Sequence, residues 1–278
     1  MVFGRLALAA LLINAELAVA QATVTSNEPR DTLHAQTQAP FFTRKDALLG
    51  LGFAAGTVLM FPLDQHLAGR LQTNQQRQGF LQDAAKGVEV IASPGSYIIG
   101  AGLYAYGRLA KKDRVADLGW HGAEAVLLAD AMTFTIKGFA GRARPSVSHG
   151  QDPDALYFGK GFSDGDYTSF PSGHSTSAFA AAAAVTNETT RWWPHSTWVI
   201  GPLMYTGAAA VGLSRMYHNR HWASDVVMGA AIGTFTGRKV VQYAHGHPGN
   251  LFDRVMLRVS VVPDGFGGNL IMYTLPAP

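Results

Sequence analysis

The chain has 278 residues, 47% of them apolar and 15% charged, with a net charge of +3 and no cysteine. It is long enough to bury a substantial core in one large domain or two small ones, and its charge is lean beside the ~25% of a typical soluble domain. A surplus of +3 gives no footing for nucleic-acid binding. The lack of cysteine excludes disulfides, thiolate metal sites and cysteine nucleophiles.

Residues 1–20 carry Arg5, an apolar run over 6–13 and a closing Ala18-Val19-Ala20. This is the pattern of a cleaved secretory signal with an A-x-A site, and the apolar run falls well short of the ~20 residues of a membrane span. Residues 21–45, with Pro29 and Pro40, read as a flexible leader. The body is predicted to be helical over 46–250. Residues 47–62 are apolar, with Gly50, Gly52 and Gly56 for close packing. Residues 63–89 are polar and partly helical in pattern, and cover one end of a bundle. A second apolar stretch runs over 96–109, then a charged turn at Lys111-Lys112-Asp113-Arg114. A third helix is predicted over 117–136, with His121, Glu124 and Asp130 read as satisfied polar groups or one wet face rather than ligands. The loop to about residue 168 has Gly150, Pro153, Gly159, Gly161 and Gly165 and makes a natural pocket rim. A fourth, alanine-rich helix follows Ser172, alanine being the best helix former. A fifth is predicted over 198–213 and a sixth over 225–243, where Gly229, Gly233 and Gly237 recur every four residues, a spacing that permits close helix contact. Residues 251–278 switch to strand formers around Gly-rich turns and read as a small β-hairpin and tail. The expected fold class is therefore all-α, about six helices with a C-terminal hairpin.

Three ordered blocks carry the chemistry. Lys137 is followed by Arg144-Pro145. The stretch Pro171-Ser172-Gly173-His174 then leads into the alanine-rich helix. Last come Ser214-Arg215, His221 and Asp225. Ser172 stands where an N-cap belongs, and a helix N-terminus offers free N–H groups and a positive dipole end to an oxyanion such as phosphate. Gly173 lets the backbone approach such a ligand. His174 titrates near neutral pH. Lys137, Arg144 and Arg215 can neutralise phosphoryl oxygens, arginine by bidentate contact. The Ser172 hydroxyl and the N–H groups of Gly173 and His174 would complete the cradle. If the sixth helix begins early enough, His221 and Asp225 share one face a turn apart, and Asp225 could hold one ring nitrogen as N–H. Arg142 is a candidate extension of the positive rim, while His218 and Arg220 are left outside the phosphate contacts.

Together the blocks resemble the three-part signature of the type 2 phosphatidic acid phosphatase and vanadium haloperoxidase superfamily, with every matched position filled as expected. The resemblance implies a phosphatase acting through a phosphohistidine: His221 as nucleophile, His174 as acid for the leaving group, Asp225 as orienter. Lys137, Arg144, Ser172, Gly173 and Arg215 bind phosphate, and no metal or other cofactor is needed. The substrate would be a phosphomonoester or a lipid (di)phosphate. Two rival readings are a vanadium-dependent haloperoxidase, with vanadate as its cofactor, and a non-enzymatic lipid-binding protein of the envelope. The mean hydropathy of +0.07 is low for a chain made mostly of spans. The signal pattern and the short apolar stretches lead us to expect an exported domain whose site faces the periplasm, lying on the membrane surface. Lys111, Lys112 and Arg114 would instead suit an inside loop of a membrane-crossing bundle.

Overall fold

A computed structural model describes residues 42–74, 80–247, 250–257, 259–263 and 269–273. The signal segment and most of the leader lie outside the described residues. Helix α1 (Arg44–Met60) begins inside the expected leader because Thr43 and Asp46 form a reciprocal capping box: the Thr43 N–H donates to the Asp46 carboxylate at 2.8 Å, and the Asp46 N–H to the Thr43 hydroxyl at 3.3 Å. The polar stretch folds as α2 (Asp64–Asn74) and α3 (Phe80–Val90). Then come α4 (Ser96–Leu109), α5 (Asp113–Ala140), α6 (Gly173–Trp192), α7 (Thr197–Tyr217) and α8 (Ala223–Gly246), closing with the short α9 (Leu251–Met256). The six long helices α1, α4, α5, α6, α7 and α8 are the six that the sequence predicts: α4 keeps the predicted bounds, α1 starts three residues earlier and stops two earlier, and α5, α7 and α8 are longer at both ends. Beyond α9, strands β1 (Val259–Pro263) and β2 (Asn269–Tyr273) pair antiparallel, Val259 opposite Tyr273 and Pro263 opposite Asn269.

Helix α6 is the axis of the bundle, with Ala180, Ala182, Ala183 and Ala184 fully buried. Its side chains are small because a neighbour comes very close. A Cβ on Gly229, Gly233 or Gly237 of α8 would stand 2.5, 2.3 and 2.4 Å from the carbonyl oxygens of Ser172, Thr176 and Ala180. The glycine stripe is thus where α8 lies directly on the α6 backbone. Helices α4 and α5 meet in the same way: a Cβ on Gly119 would stand 2.2 Å from the Tyr104 nitrogen.

Side-chain contacts define the two ends of the bundle. At one end the start of α1 meets the last turns of α8, where Lys239 Nζ lies 2.6 Å from the Asp46 carboxylate. At the other, Asp64 accepts from the Ser224 N–H at 2.9 Å and from Arg142 at 2.8 Å. The second end collects the C-termini of α1, α5 and α7 and the N-termini of α4, α6 and α8. All three sequence blocks lie there.

The outer face is strongly apolar. Leu48, Leu51, Val58 and Leu59 on α1, Ile98 and Ile99 on α4, Leu127, Leu128, Met132 and Phe134 on α5, and Trp198, Val199 and Leu203 on α7 are all exposed. Residues 44–71 form the one helical stretch among the described residues that is long and apolar enough to cross a membrane by length and composition.

Candidate active site

Helix α5 ends where Gly141 adopts φ +55°, a left-handed turn that glycine takes without strain. This cap delivers Lys137 in the last turn and sends the chain into Arg142 and Arg144. The Lys137 ammonium donates to the Thr168 carbonyl at 2.5 Å, and Arg144 Nη2 donates to the Thr168 hydroxyl at 2.9 Å. Two of the three expected cations therefore converge on the segment just ahead of α6. A Cβ on Gly173 would lie 3.6 Å from Lys137 Cε, so the ammonium's stem runs beside the first turn of α6.

Ser172 holds the N-cap position with an extended backbone, but its side chain caps nothing. Its hydroxyl is fully buried and accepts from Ser175 Oγ at 2.9 Å. The accessible part of the expected cradle is therefore the first-turn amides of Gly173 and His174, which have no intrahelical acceptor.

The third block differs from its expected geometry in one respect. Helix α8 begins at Ala223, so His221 stands two residues before it rather than on its face. The His221 Nδ1 lies 2.7 Å from the carbonyl oxygen of Ser169 and 3.7 Å from Asp225 Oδ2. The backbone carbonyl, and not Asp225, takes the direct hydrogen bond. A carbonyl only accepts, so Nδ1 carries the proton and Nε2 keeps its lone pair. Asp225 acts one step back: its Oδ2 accepts from Ser169 Oγ at 2.5 Å and from the Trp222 N–H at 2.7 Å, which fixes both segments flanking the ring.

Arg142 does not extend the rim. It is 1% exposed and clamps two carboxylates, Asp225 at 2.6 Å and Asp64 at 2.8 Å, while its remaining donors reach Ser224 and the Pro153 carbonyl. Burial works to raise the Asp225 pKa, but the Arg142 charge and the His221 and Ser169 contacts hold it well below the usual carboxylate range.

Arg215, in the last turn of α7, lies 2.6 Å from Glu89 of α3. Glu89 also meets His218 Nδ1 at 2.7 Å and accepts from Ser214 Oγ at 3.1 Å. A cavity of 580 Å³ opens here, lined by Glu89, Arg144, Arg215, Tyr217, His218 and Arg220 together with Gln82 and Lys86 of α3. His218 and Arg220 thus line the cavity after all. His174 and His221 are not among its lining residues, but His174 feels the charges of Arg215, Lys137 and Arg144, and His221 those of Lys137 and Arg215. Both imidazoles belong to one cationic neighbourhood. Burial, seconded by Arg215, pushes His174 down to about 4, and burial pushes His221 down to about 3. Burial likewise lowers Lys137 to about 7. Both rings are neutral at neutral pH, which is the state a nucleophile requires.

Arg144 Nε, Arg215 Nε and His218 Nε2 are buried with no hydrogen-bond partner. Most buried polar groups have partners, so three orphans around one cavity call for a ligand rich in acceptors. Ser169, Glu89 and Asp64 are the site residues that the sequence blocks do not contain. Ser169 lies three residues before Ser172, inside the second block's own loop; Glu89 and Asp64 sit in the polar 63–89 stretch without a motif.

Residues 119–247 match the PAP2 superfamily. Over 71 residues the chain is 46% identical to the lipid A 1-phosphatase of Porphyromonas gingivalis, a stretch covering 25% of this chain and 15% of that relative's length. Among solved structures, a transmembrane PAP2 type phosphatidylglycerolphosphate phosphatase from Bacillus subtilis shares the fold with a TM-score of 0.53 at 20% identity, covering 73% of this chain and 97% of the other. Aquifex aeolicus LpxE aligns with a TM-score of 0.46 at 21% identity, over 65% and 96% of the two chains.

Proposed function

We propose that this chain, whose residues 119–247 match the PAP2 superfamily, is a membrane-bound phosphatase for phosphorylated lipids that works through a phosphohistidine on His221. The observation that carries the proposal is the trio of orphaned nitrogens on Arg144, Arg215 and His218 around a cationic cavity beside two neutral imidazoles. A phosphoryl group supplies the acceptors they lack, and the first-turn amides of α6 take a further oxygen.

In this reading His221 Nε2 attacks phosphorus as the bond to the leaving oxygen breaks, and His174 gives that oxygen a proton. Water then attacks the phosphorus of the P–N intermediate, His174 takes a proton from it, and inorganic phosphate leaves with His221 restored. His174 must be protonated when the leaving group departs, although it is held down to about 4 without ligand. An incoming phosphate offsets Arg215, Lys137 and Arg144, part of what holds it down, so binding raises its pKa toward the working range. Ser169 and Asp225 keep the His221 ring aimed. Fixed cations do the charge stabilisation here, and the reaction is proposed to run without a metal.

Two features favour a lipid substrate. The loop over the end of α5 presents Tyr157, Phe158 (85% exposed) and Phe162 beside Phe134 and Phe139, with Phe139 and Phe162 ring centroids 5.1 Å apart. This aromatic rim continues the exposed apolar face of α5, and aromatic side chains of this kind favour the membrane interface. The P. gingivalis relative is named for lipid A, which fits the same class. We place the apolar face of the bundle in the membrane, with the catalytic end, where Lys137, His174, Arg215 and Asp225 occupy terminal turns, standing outside it. The opposite end bears Arg44, Lys45, Lys111, Lys112, Arg114 and Arg191, and the positive-inside rule puts that end in the cytoplasm and the site in the periplasm. An embedded bundle of this orientation starts α1 inside, so it and a cleaved signal ahead of α1 exclude one another. N-terminal sequencing of the purified protein decides between them.

Phosphate release from phosphatidate, phosphatidylglycerophosphate, undecaprenyl diphosphate, lipid A and a soluble monoester tests the proposal. We expect faster release from the lipids than from the soluble ester, with inhibition by vanadate. No release from any of them, with bromide oxidation by peroxide once vanadate is added, would make the chain a haloperoxidase instead.

A further inference from the structure

The end of the bundle remote from the phosphate site carries a second cluster with chemistry of its own. His121 of α5, Glu188 of α6 and His245 of α8 turn toward one another in the interior. Glu188 is 0% and His121 2% exposed. His121 Nδ1 contacts Glu188 Oε1, and His245 Nε2 lies 2.9 and 3.0 Å from the two Glu188 oxygens. The three ligand-capable atoms are all within 4.8 Å of one another. On the far side of the ring, His121 Nε2 lies 3.3 Å from Asp253 Oδ1, and Asp253 is itself held by Trp120 Nε1 at 3.1 Å and Asn250 Nδ2 at 2.7 Å. The sequence marks His121 only as a polar group to be satisfied. The fold gives it company drawn from 67 and 132 positions away.

We propose that His121, Glu188 and His245 form a structural site for a divalent transition metal, zinc by preference, at the end of the bundle opposite the phosphate cavity. The donor set is two imidazoles and one carboxylate, which suits a borderline-soft ion such as zinc. Tetrahedral zinc with ligands at about 2.0–2.2 Å sets them about 3.3–3.6 Å apart, so the present spread needs only small side-chain adjustments. A metal-bound histidine almost always donates its other ring N–H to a carboxylate, and Asp253 stands where that acceptor belongs for His121. Charge argues the same way. Among the described residues the ion-pair partners of the fully buried Glu188 are histidines alone. Without a metal, a buried carboxylate needs a protonated imidazole beside it; one divalent ion balances Glu188 and leaves both imidazoles neutral. The site would tie α5, α6 and α8 together and, through Asp253, anchor α9 ahead of the terminal strands. It takes no part in phosphate chemistry: His121 and Lys137 are 16 positions apart on one helix, a rise of about 24 Å.

The test uses the full-length protein, purified without a polyhistidine tag, incubated with zinc chloride, desalted and analysed for metal by mass spectrometry. We expect about one zinc per chain, removed by a strong chelator. Zinc should raise the melting temperature of the wild type and leave those of His245→Ala and Glu188→Gln unchanged, and both variants should retain at least about tenfold less metal. His245→Ala, with a partly exposed ring, guards against misfolding of the more buried Glu188→Gln. Retention below about a tenth of an equivalent by the wild type, or equal retention by both variants, would overturn the site and leave a plain ion-pair network. Metal content is read without substrate, so the outcome does not depend on the phosphatase proposal.

Discussion

At the scale of the residue, the site depends on groups that hold other groups. In the proposed mechanism His221 keeps its attacking Nε2 bare because Nδ1–H donates its hydrogen bond to the Ser169 carbonyl. We expect His221→Ala to abolish turnover. Asp225→Asn should lower kcat by about a hundredfold, since it loosens Ser169 and the turn at Trp222; a variant of near wild-type rate would mean that Ser169 alone suffices. Arg142→Met should cost about 3–5 kcal/mol of stability, because it leaves the buried Asp64 and Asp225 uncompensated, and a melting temperature within a degree or two of wild type would contradict the clamp. Lys137 gives a pH signature. It loses its charge as pH rises through about 7, so kcat/KM should fall across that limb, and Lys137→Arg should shift the fall to higher pH. The substrate's own second ionisation is common to both enzymes and drops out of the comparison. The three blocks were legible in the sequence because side-chain chemistry at fixed spacing is a local signal. The acceptor on His221 was not, because a backbone carbonyl leaves no mark in an amino-acid string. Nor could spacing tell that Arg142 meets two buried carboxylates while Arg144 faces the cavity.

At the scale of the element, the Gly229, Gly233 and Gly237 repeat is the clearest agreement between pattern and packing. The four-residue spacing announces a close contact, and that contact is the α8 backbone against α6. This matters for the site because α6 supplies the amides and α8 carries Asp225, and the Ser172 N–H donates to the Asp225 carbonyl at 3.0 Å where the two helices meet. Gly233→Ala should destabilise the protein by about 1–3 kcal/mol, since its new methyl has no room beside the Thr176 carbonyl. Gly122→Ala on α5 is the control: nothing lies within 4 Å of its Cβ position, and it should be neutral or stabilising by up to about 1 kcal/mol. Equal melting temperatures for the two variants would remove the close-contact account. The helix ends were less legible. Thr43 with Asp46 and Gly141 at φ +55° set the bounds of α1 and α5 through capping, whereas hydrophobic pattern alone marks only the apolar middle. The sequence of α2 and α3 shows only a polar, partly helical cover for one end of the bundle, yet these helices bring Asp64 to the Arg142 clamp and Glu89 to Arg215. Those pairings are long-range and have no local trace.

At the scale of the whole molecule, the exposed apolar side chains on α1, α4, α5 and α7 and the basic residues at the end opposite the site are what the proposed orientation across a membrane rests on. The native chain lacks cysteine, so single cysteines report on it directly. Asp152→Cys, on the loop at the catalytic end, should react with a membrane-impermeant maleimide in intact spheroplasts, and Lys112→Cys at the other end should react only after lysis. The reverse pattern would place the site in the cytoplasm, and release of the active protein by osmotic shock would mean a bundle that is not embedded at all. The central claim is the covalent step, and the most direct test is to quench the enzyme during turnover of a lipid bearing radiolabelled phosphate and map the label. The account predicts an acid-labile, alkali-stable phosphoenzyme whose label lies on the peptide containing His221 and is missing from His221→Ala. Label on another residue, or turnover retained by His221→Ala, would contradict it.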